Sequence, residues 1–114
     1  AVSGTHGKTT VSAMTASILQ SKYGDVGYLI GGVLGDGSWS ARLGSNEYFI
    51  VEADEYDSAF YDKRSKFIHY FPNILAINNI EFDHADIFDD LTPILKQFSH
   101  LLRIIPANGQ VVFH

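Results

Sequence analysis

The sequence predicts an α/β fold in which a mostly parallel sheet, flanked by helices, carries a phosphate-binding loop. Three observations favour this fold class. A glycine-containing segment lies between a short apolar lead and a helical pattern, apolar runs of strand length recur along the chain, and amphipathic helical patterns alternate with them. The segment that forms the predicted loop consists of Gly4, Thr5, His6, Gly7, Lys8, Thr9 and Thr10.

Several residue types in this loop have a physical reason to contact phosphate. Glycines at both ends let successive backbone N–H groups converge on phosphate oxygens, Lys8 supplies positive charge for the β- and γ-phosphates, and the Thr9 hydroxyl can bind Mg²⁺. The common pattern G-x-x-x-x-G-K-[ST] has a glycine five residues before Gly7, whereas this chain has Val2 there. The loop is therefore a variant of that pattern, and it indicates an NTP-binding domain.

The first helix is predicted over residues 8–23. Its apolar residues Val11, Met14, Ile18 and Leu19 recur at helical spacing, and a glycine follows the pattern. The N-terminus of this helix would face the phosphates, where the helix dipole favours negative charge.

The next predicted elements are strands and an irregular segment. Residues 28–30 form an apolar run of strand length, and residues 31–44 contain five glycines, which indicates a hairpin or a loop. Residues 48–51 and 74–77 are continuous apolar runs, typical of strands that are buried on both faces of a parallel sheet.

The second helix is predicted over residues 90–106, where apolar residues recur at i, i+3, i+4 and i+7. Asp90 is its predicted N-cap, Pro93 is tolerated in its first turn, and Pro106 ends it. Residues 110–114 have the composition of a further strand.

Composition and charge limit the classes of function. With 114 residues the chain is expected to be one domain or part of one, and without cysteine it has neither disulfides nor a thiolate metal site. The net charge of −5 argues against nucleic acid as the main partner. Because no apolar run is long enough for a bilayer and no signal peptide is present, we expect a cytoplasmic protein without a membrane partner.

Ligands of parallel α/β sheets bind at the carboxyl ends of the strands, so the residues after each apolar run are the candidate site. Glu52 directly follows residues 48–51 and is the predicted second anchor for nucleotide-bound Mg²⁺, because a hard cation prefers oxygen ligands. Asp54 and Glu55 are alternatives that the chain can turn away from the phosphates after the strand. A solvated acidic loop is the interpretation for Asp57, Asp62, Asp86, Asp89 and Asp90.

His84 comes after the apolar run at residues 74–77 and has two interpretations. Histidines are more often surface residues or hydrogen-bonded core residues than ligands. Its position gives it access to the same cleft as Glu52, where Asp83 or Glu81 could orient the ring. His6 is interpreted as a residue that shapes the loop rather than as a base.

Taken together, the motifs resemble the central ATP-binding domain of the Mur ligases. The resemblance depends on the loop at residues 4–10, on Glu-Ala-Asp-Glu at 52–55, and on Asn79-x-Glu81-x-Asp83-His84, in this order and at these separations. It covers essentially the whole chain. It implies that residues 1–114 are part of an ATP-binding central domain whose UDP-binding and C-terminal neighbours lie outside this sequence.

The same resemblance implies the cofactors and the roles of the candidate residues. ATP and Mg²⁺ would be bound, with Lys8, Glu52 and His84 as the catalytic residues. Thr9 and Glu52 would hold the Mg²⁺ that bridges the β- and γ-phosphates, and His84 with Glu52 would serve a second Mg²⁺. A carbamylated lysine of that second site is expected beyond residue 114.

The function that the resemblance implies is ATP-dependent amide-bond formation through an acyl phosphate of UDP-N-acetylmuramate. Residues 52–67 and 78–88 are most similar to the members that join the peptide L-Ala-γ-D-Glu-meso-diaminopimelate to this sugar nucleotide in peptidoglycan recycling. The alternatives are the L-alanine-adding ligase, a folylpolyglutamate-synthase-like enzyme, a phosphate-loop hydrolase or switch, and a non-catalytic nucleotide-binding module. The amine is expected to be chosen largely by the C-terminal domain.

Overall fold

The structure, a computed structural model, describes residues 1–32, 37, 40–54, 57–59, 62–81 and 92–113, with the backbone alone given at 57–59 and 62–64. Its helices are α1 (Lys8–Tyr23) and α2 (Thr92–Arg103), and a 3₁₀ turn spans Lys66–His69. The strands are β1 (Val2–Ser3), β2 (Gly27–Leu29), β3 (Ala41–Arg42), β4 (Phe49–Val51), β5 (Asp57–Ala59), β6 (Asp62–Ser65), β7 (Ile74–Ile77) and β8 (Gln110–Phe113).

β1 lies at the centre of a parallel arrangement of strands. On one side it pairs with β7, which in turn pairs with β8. On the other side Val2 forms a parallel bridge with Glu52, directly after β4, and β4 pairs with β2. The parallel strands therefore follow the order β2-β4-β1-β7-β8, and β3 is added antiparallel at the β2 edge. This confirms the predicted α/β fold with a mostly parallel sheet.

The region after Glu52 differs from its predicted structure. β5 and β6 form an antiparallel hairpin in which Asp57 is opposite Ser65 and Ala59 is opposite Asp62. The expectation of a loop at Asp57 and Asp62 was therefore wrong for the backbone. Strands rich in aspartate, lysine and arginine have low β-propensity and show no apolar run, so the sequence pattern gave no sign of them.

Two clusters of buried side chains hold the helices against the strands. In the first, the Phe67 and Phe98 rings lie 5.8 Å apart between centroids and are tilted by 48°. That cluster comprises Ala53, Phe67, Leu75, Ile94, Phe98 and Leu101. The second joins α1 to β2 and β4 and comprises Ala16, Val26, Tyr28, Ile30 and Ile50.

α1 spans the predicted residues but buries a different face. Ser12 and Ala16 are its buried residues, whereas Met14 and Ile18 are 59% and 64% exposed. Small side chains on the buried face let the helix lie close to the strands, in keeping with the dense packing of protein interiors. The apolar spacing therefore located the helix but not the face that packs on the sheet.

The later elements agree with the sequence in position and less well in burial. β7 spans the predicted residues, but Ile74 is 53% exposed and Leu75 is the fully buried residue of the strand. In α2 the buried residues are Ile94, Phe98 and Leu101, as the predicted apolar face requires, and the predicted N-cap Asp90 lies outside the described residues. Within the described ranges, no helix is long and apolar enough to cross a bilayer.

Adjacent leucines in α2 test the packing of this helix. Leu101 is fully buried in the first cluster, whereas Leu102 is 45% exposed. We expect Leu101→Ala to lower the free energy of unfolding by about 2–5 kcal/mol, through lost burial and the cavity left behind. Leu102→Ala is the matched control and should cost less than about 1.5 kcal/mol. Urea denaturation followed by circular dichroism measures both values, and equal losses would contradict the packing described.

Candidate functional site

The loop that connects β1 to α1 has a backbone conformation that requires glycine at two positions. Gly4 and Gly7 have φ angles of 138° and 77°, a region that residues with a side chain disfavour. Gly7 is the N-cap of α1, and as a glycine it has no side chain that could accept a hydrogen bond from the first helical N–H groups. Those N–H groups and the positive end of the helix dipole together favour an anion at this position.

Lys8 is held across the loop by oxygen atoms. Its Nζ lies 2.9 Å from the Gly4 carbonyl oxygen, 3.4 Å from that of Thr5 and 3.5 Å from Asp54 Oδ1. Asp54 therefore faces the loop, although the sequence left open whether it turns away. The charge of Asp54 also acts on Tyr70, because the pKa of this phenol is raised first by its burial and second by the Asp54 carboxylate.

Thr9 and Glu52, the two residues predicted to hold Mg²⁺, are in direct contact. Thr9 Oγ1 donates a 2.8 Å hydrogen bond to Glu52 Oε1, and the Gly31 N–H donates a 2.7 Å bond to Glu52 Oε2. A hydroxyl and a carboxylate oxygen at one point are the kind of donors that Mg²⁺ prefers, so these residues fit the ion. The third predicted metal residue, His84, lies outside the described residues.

The backbone around Glu52 is fixed by its neighbours in the sheet. The Glu52 N–H donates to the Leu29 carbonyl at 2.9 Å, and the Ala53 N–H donates to the Val2 carbonyl at 2.8 Å. The fully buried Ser3 donates its hydroxyl to the Ala53 carbonyl at 2.8 Å. The position of the carboxylate next to Thr9 is thus set by strands on both sides.

Two asparagines that follow β7 also belong to the site, and sequence reasoning gave neither a role. The Thr5 N–H donates to the Asn79 carbonyl oxygen at 3.0 Å, and the His6 N–H donates to Asn79 Oδ1 at 2.9 Å. Asn78 Nδ2 donates to the His6 carbonyl at 2.8 Å. The N–H groups of Thr5 and His6 are therefore turned to Asn79, contrary to the expectation that successive loop N–H groups converge on phosphate.

The Thr5 side chain adds a reciprocal link to the chain beyond β7. Its Oγ1 donates to the Glu81 carbonyl at 3.1 Å and accepts from the Glu81 N–H at 2.9 Å. One signal in the sequence could have revealed these contacts. Asn78 and Asn79 directly follow the run at residues 74–77, which was predicted to be a strand ending at the ligand-binding edge of the sheet. The sequence alone did not show that β7 is the immediate neighbour of β1.

These features define an α/β domain in which a loop with the sequence of a phosphate-binding motif follows the central strand of a parallel sheet, and a carboxylate lies beside the loop, directly after the neighbouring strand β4. The chain belongs to the Mur ligase family, because residues 2–114 match the model of the Mur ligase middle domain.

Two of its relatives share the same name and a high level of identity. The UDP-N-acetylmuramate--L-alanyl-gamma-D-glutamyl-meso-2,6-diaminoheptandioate ligase of Haemophilus influenzae is 60% identical over 98% of this chain and 25% of its own length. The Escherichia coli ligase of that name is 57% identical over 99% of this chain and 25% of its own length. A UDP-N-acetylmuramate--L-alanine ligase from Clostridium botulinum is 39% identical over 98% of this chain and 23% of its own length. The chain thus spans about a quarter of these relatives.

A solved structure shows the same fold. The crystal structure of UDP-N-acetylmuramate:L-alanyl-gamma-D-glutamyl-meso-diaminopimelate ligase from Neisseria meningitides matches with a TM-score of 0.92 at 48% identity, over 99% of this chain and 38% of that one.

Two glycines with positive φ test how tightly the loop is packed. A Cβ on Gly4 would lie 2.9 Å from the Asn79 carbonyl oxygen, whereas a Cβ on Gly24 meets nothing within 4 Å. Both alanine substitutions strain the backbone, so the contact with Asn79 is the main difference between them. We expect Gly4→Ala to lower the free energy of unfolding by at least about 1 kcal/mol more than Gly24→Ala. Similar losses in urea denaturation would show that the loop has room to move.

Proposed function

We propose that the intact protein is an ATP-dependent ligase that joins L-alanyl-γ-D-glutamyl-meso-diaminopimelate to UDP-N-acetylmuramate in peptidoglycan recycling. The observation that supports it most directly is the 2.8 Å contact between Thr9 of the phosphate loop and Glu52 of the neighbouring strand. This contact brings one hydroxyl and one carboxylate to the start of α1, where a nucleotide-bound Mg²⁺ would lie. Identities of 60% and 57% to ligases named for that peptide support the choice of substrates.

When bound, ATP would supply the γ-phosphoryl group that converts the lactyl carboxylate of UDP-N-acetylmuramate into an acyl phosphate, with ADP as the leaving group, and Mg²⁺ would offset the negative charge of the phosphates. Attack by the peptide amine would then form the amide and release phosphate. The residues of this chain would act by position and charge. The first N–H groups of α1 would bind phosphate oxygens, and Lys8 would stabilise the negative charge that builds up during transfer. The remaining loop residues, Gly4, Thr5, His6, Gly7 and Thr10, would shape the nucleotide site.

Glu52 would hold the metal without losing its orientation. Oε1 already lies beside the Thr9 hydroxyl, while Oε2 accepts the Gly31 N–H. The carboxylate can thus give one oxygen to the ion while the other stays hydrogen-bonded. We propose His84 as a further metal residue with Glu52, on the basis of the family resemblance.

The amine substrate has one close alternative. The 39% identity to an L-alanine ligase shows that this domain is shared by enzymes named for different amines. We assign the peptide because identity is higher to its ligases, and we propose that the rest of the protein selects the amine. We also propose a cytoplasmic location, without nucleic acid or membrane as partner. The net charge of −5 argues against nucleic acid as the main partner.

Phosphate release by the intact protein separates the candidate functions. A ligase should release phosphate from ATP only when UDP-N-acetylmuramate and the peptide are both present, and the sugar nucleotide should become amide-linked. A hydrolase or switch would release phosphate from ATP or GTP without the sugar nucleotide, and a binding module would release none. Replacing the peptide with L-alanine tests the alternative amine in the same assay. Release that does not depend on the sugar nucleotide would refute the proposal.

The charge of Lys8 is tested with a second lysine of the same helix. We expect Lys8→Ala to lose about 2–4 kcal/mol of transition-state stabilisation, as when one preorganised electrostatic donor is removed. Lys22→Ala is the matched control, since Lys22 lies in the last turn of α1 with its Nζ 4.9 Å from the Tyr23 ring centroid. Values of kcat/KM for both variants measure the effect, and a Lys8→Ala enzyme close to the parent would contradict this role.

The metal assignment is tested by turnover, stability and Mg²⁺ dependence together. We expect Glu52→Ala and His84→Ala to reduce turnover far more than stability, because each would remove a metal ligand.

Thr9→Val should raise the Mg²⁺ concentration for half-maximal rate, while Thr9→Ser keeps the hydroxyl and should stay near the parent. The exposed Glu47 provides the control Glu47→Ala. Turnover within a few-fold of the parent for both Glu52→Ala and His84→Ala would remove the assignment.

A further inference from the structure

Asn79 supports the phosphate loop from the side of β7 with two of its polar groups, and a third binds Glu81. Its carbonyl oxygen accepts the Thr5 N–H at 3.0 Å, and its Oδ1 accepts the His6 N–H at 2.9 Å. Its Nδ2 donates to Glu81 Oε1 at 3.2 Å. One residue thus binds two successive N–H groups of the loop and is itself oriented by a carboxylate.

The loop glycines are packed against this support. A Cβ on Gly4 would lie 2.9 Å from the Asn79 carbonyl oxygen and 3.2 Å from Asn79 Oδ1. A Cβ on Gly7 would lie 2.9 Å from Asn78 Nδ2. Contact with the two asparagines therefore adds a reason for glycine at both positions, besides the positive φ angles.

We propose that Asn79 is a positioning residue for the nucleotide. By binding the N–H groups of Thr5 and His6, it fixes the turn so that the N–H groups from the start of α1 are the ones presented to phosphate. Asn79 acts through the loop and contacts no reacting atom. The inference deepens the proposed function, since it rests on the loop being the ATP site.

Asparagine is the side chain that this arrangement requires. The Oδ1 must accept from the His6 N–H while the other amide atom must donate to Glu81. Aspartate would keep the acceptor but place a second carboxylate against Glu81, and alanine would keep neither group. These differences allow the contact to be tested by reversing its polarity.

The first test compares two asparagines at opposite ends of β7 in the full-length protein. Asn79→Ala should weaken the affinity for Mg·ATP by about tenfold, as expected for one lost hydrogen bond that orders a binding loop. Its KM for UDP-N-acetylmuramate should stay near the parent value. Asn73 directly precedes the first residue of β7 and provides the control. Asn73→Ala should leave the Mg·ATP affinity and the KM for UDP-N-acetylmuramate unchanged. Calorimetric titration and steady-state kinetics measure them, and parental ATP affinity in Asn79→Ala would overturn the inference.

The second test restores the contact with its donor and acceptor exchanged. Asn79→Asp alone should weaken Mg·ATP binding, because two carboxylates then face each other. Combining it with Glu81→Gln returns the charge to the parental value and lets the glutamine amide donate to the aspartate, so ATP affinity should recover to within about threefold of the parent. Glu81→Gln alone is measured as the reference for the pair.

The outcomes of these experiments separate a positioning role from general destabilisation. A purely structural role would weaken binding of both substrates, whereas a positioning role weakens that of Mg·ATP alone and requires its recovery when the polarity of the contact is exchanged. A double variant that binds ATP no better than Asn79→Asp would therefore refute the inference. The affinity readout also separates it from the proposed function: a parent that binds ATP but forms no amide refutes the ligase assignment, while the comparison of Asn79 variants still decides the role of Asn79.

Discussion

The backbone pairing of β1 with a strand on each side is the constraint on which the rest of the site depends. β1 has only two residues, yet the Val2 carbonyl accepts from the Ala53 N–H, and the Ser3 carbonyl accepts from the Asn78 N–H. These bonds align the carboxyl ends of β4 and β7 with the start of the loop. The sheet therefore places the Glu52 carboxylate on one side of the loop, and Asn78 and Asn79 on the other.

The two strands beside β1 bring different chemical groups to the loop. The β4 side provides the carboxylates of Glu52 and Asp54, which lie beside Thr9 and Lys8. The β7 side provides amide groups that bind the backbone of the loop at His6. The charged groups are suited to binding cations, whereas the amides are suited to holding the backbone in shape.

The sequence predicted most of the fold because its main signals are local. The loop motif, the span of α1 and the apolar run of β7 all depend on neighbouring residues, and each was located to within a residue. Glu52 was predicted to lie at the site because ligands of parallel sheets bind at strand ends, and the structure places it in contact with Thr9. The features that were missed depend on which strands are adjacent or on how closely a helix approaches: the buried face of α1, the hairpin of β5 and β6, and the contacts of Asn78 and Asn79.

A crystal structure of the intact protein with Mg²⁺ and a non-hydrolysable ATP analogue would test the central claim most directly. We expect the β- and γ-phosphates at the first N–H groups of α1, with the ion about 2.0–2.1 Å from both Thr9 Oγ1 and a Glu52 oxygen. The strand pairings of β1 should be unchanged. Phosphates bound away from the loop, or an ion that Glu52 does not contact, would contradict the account.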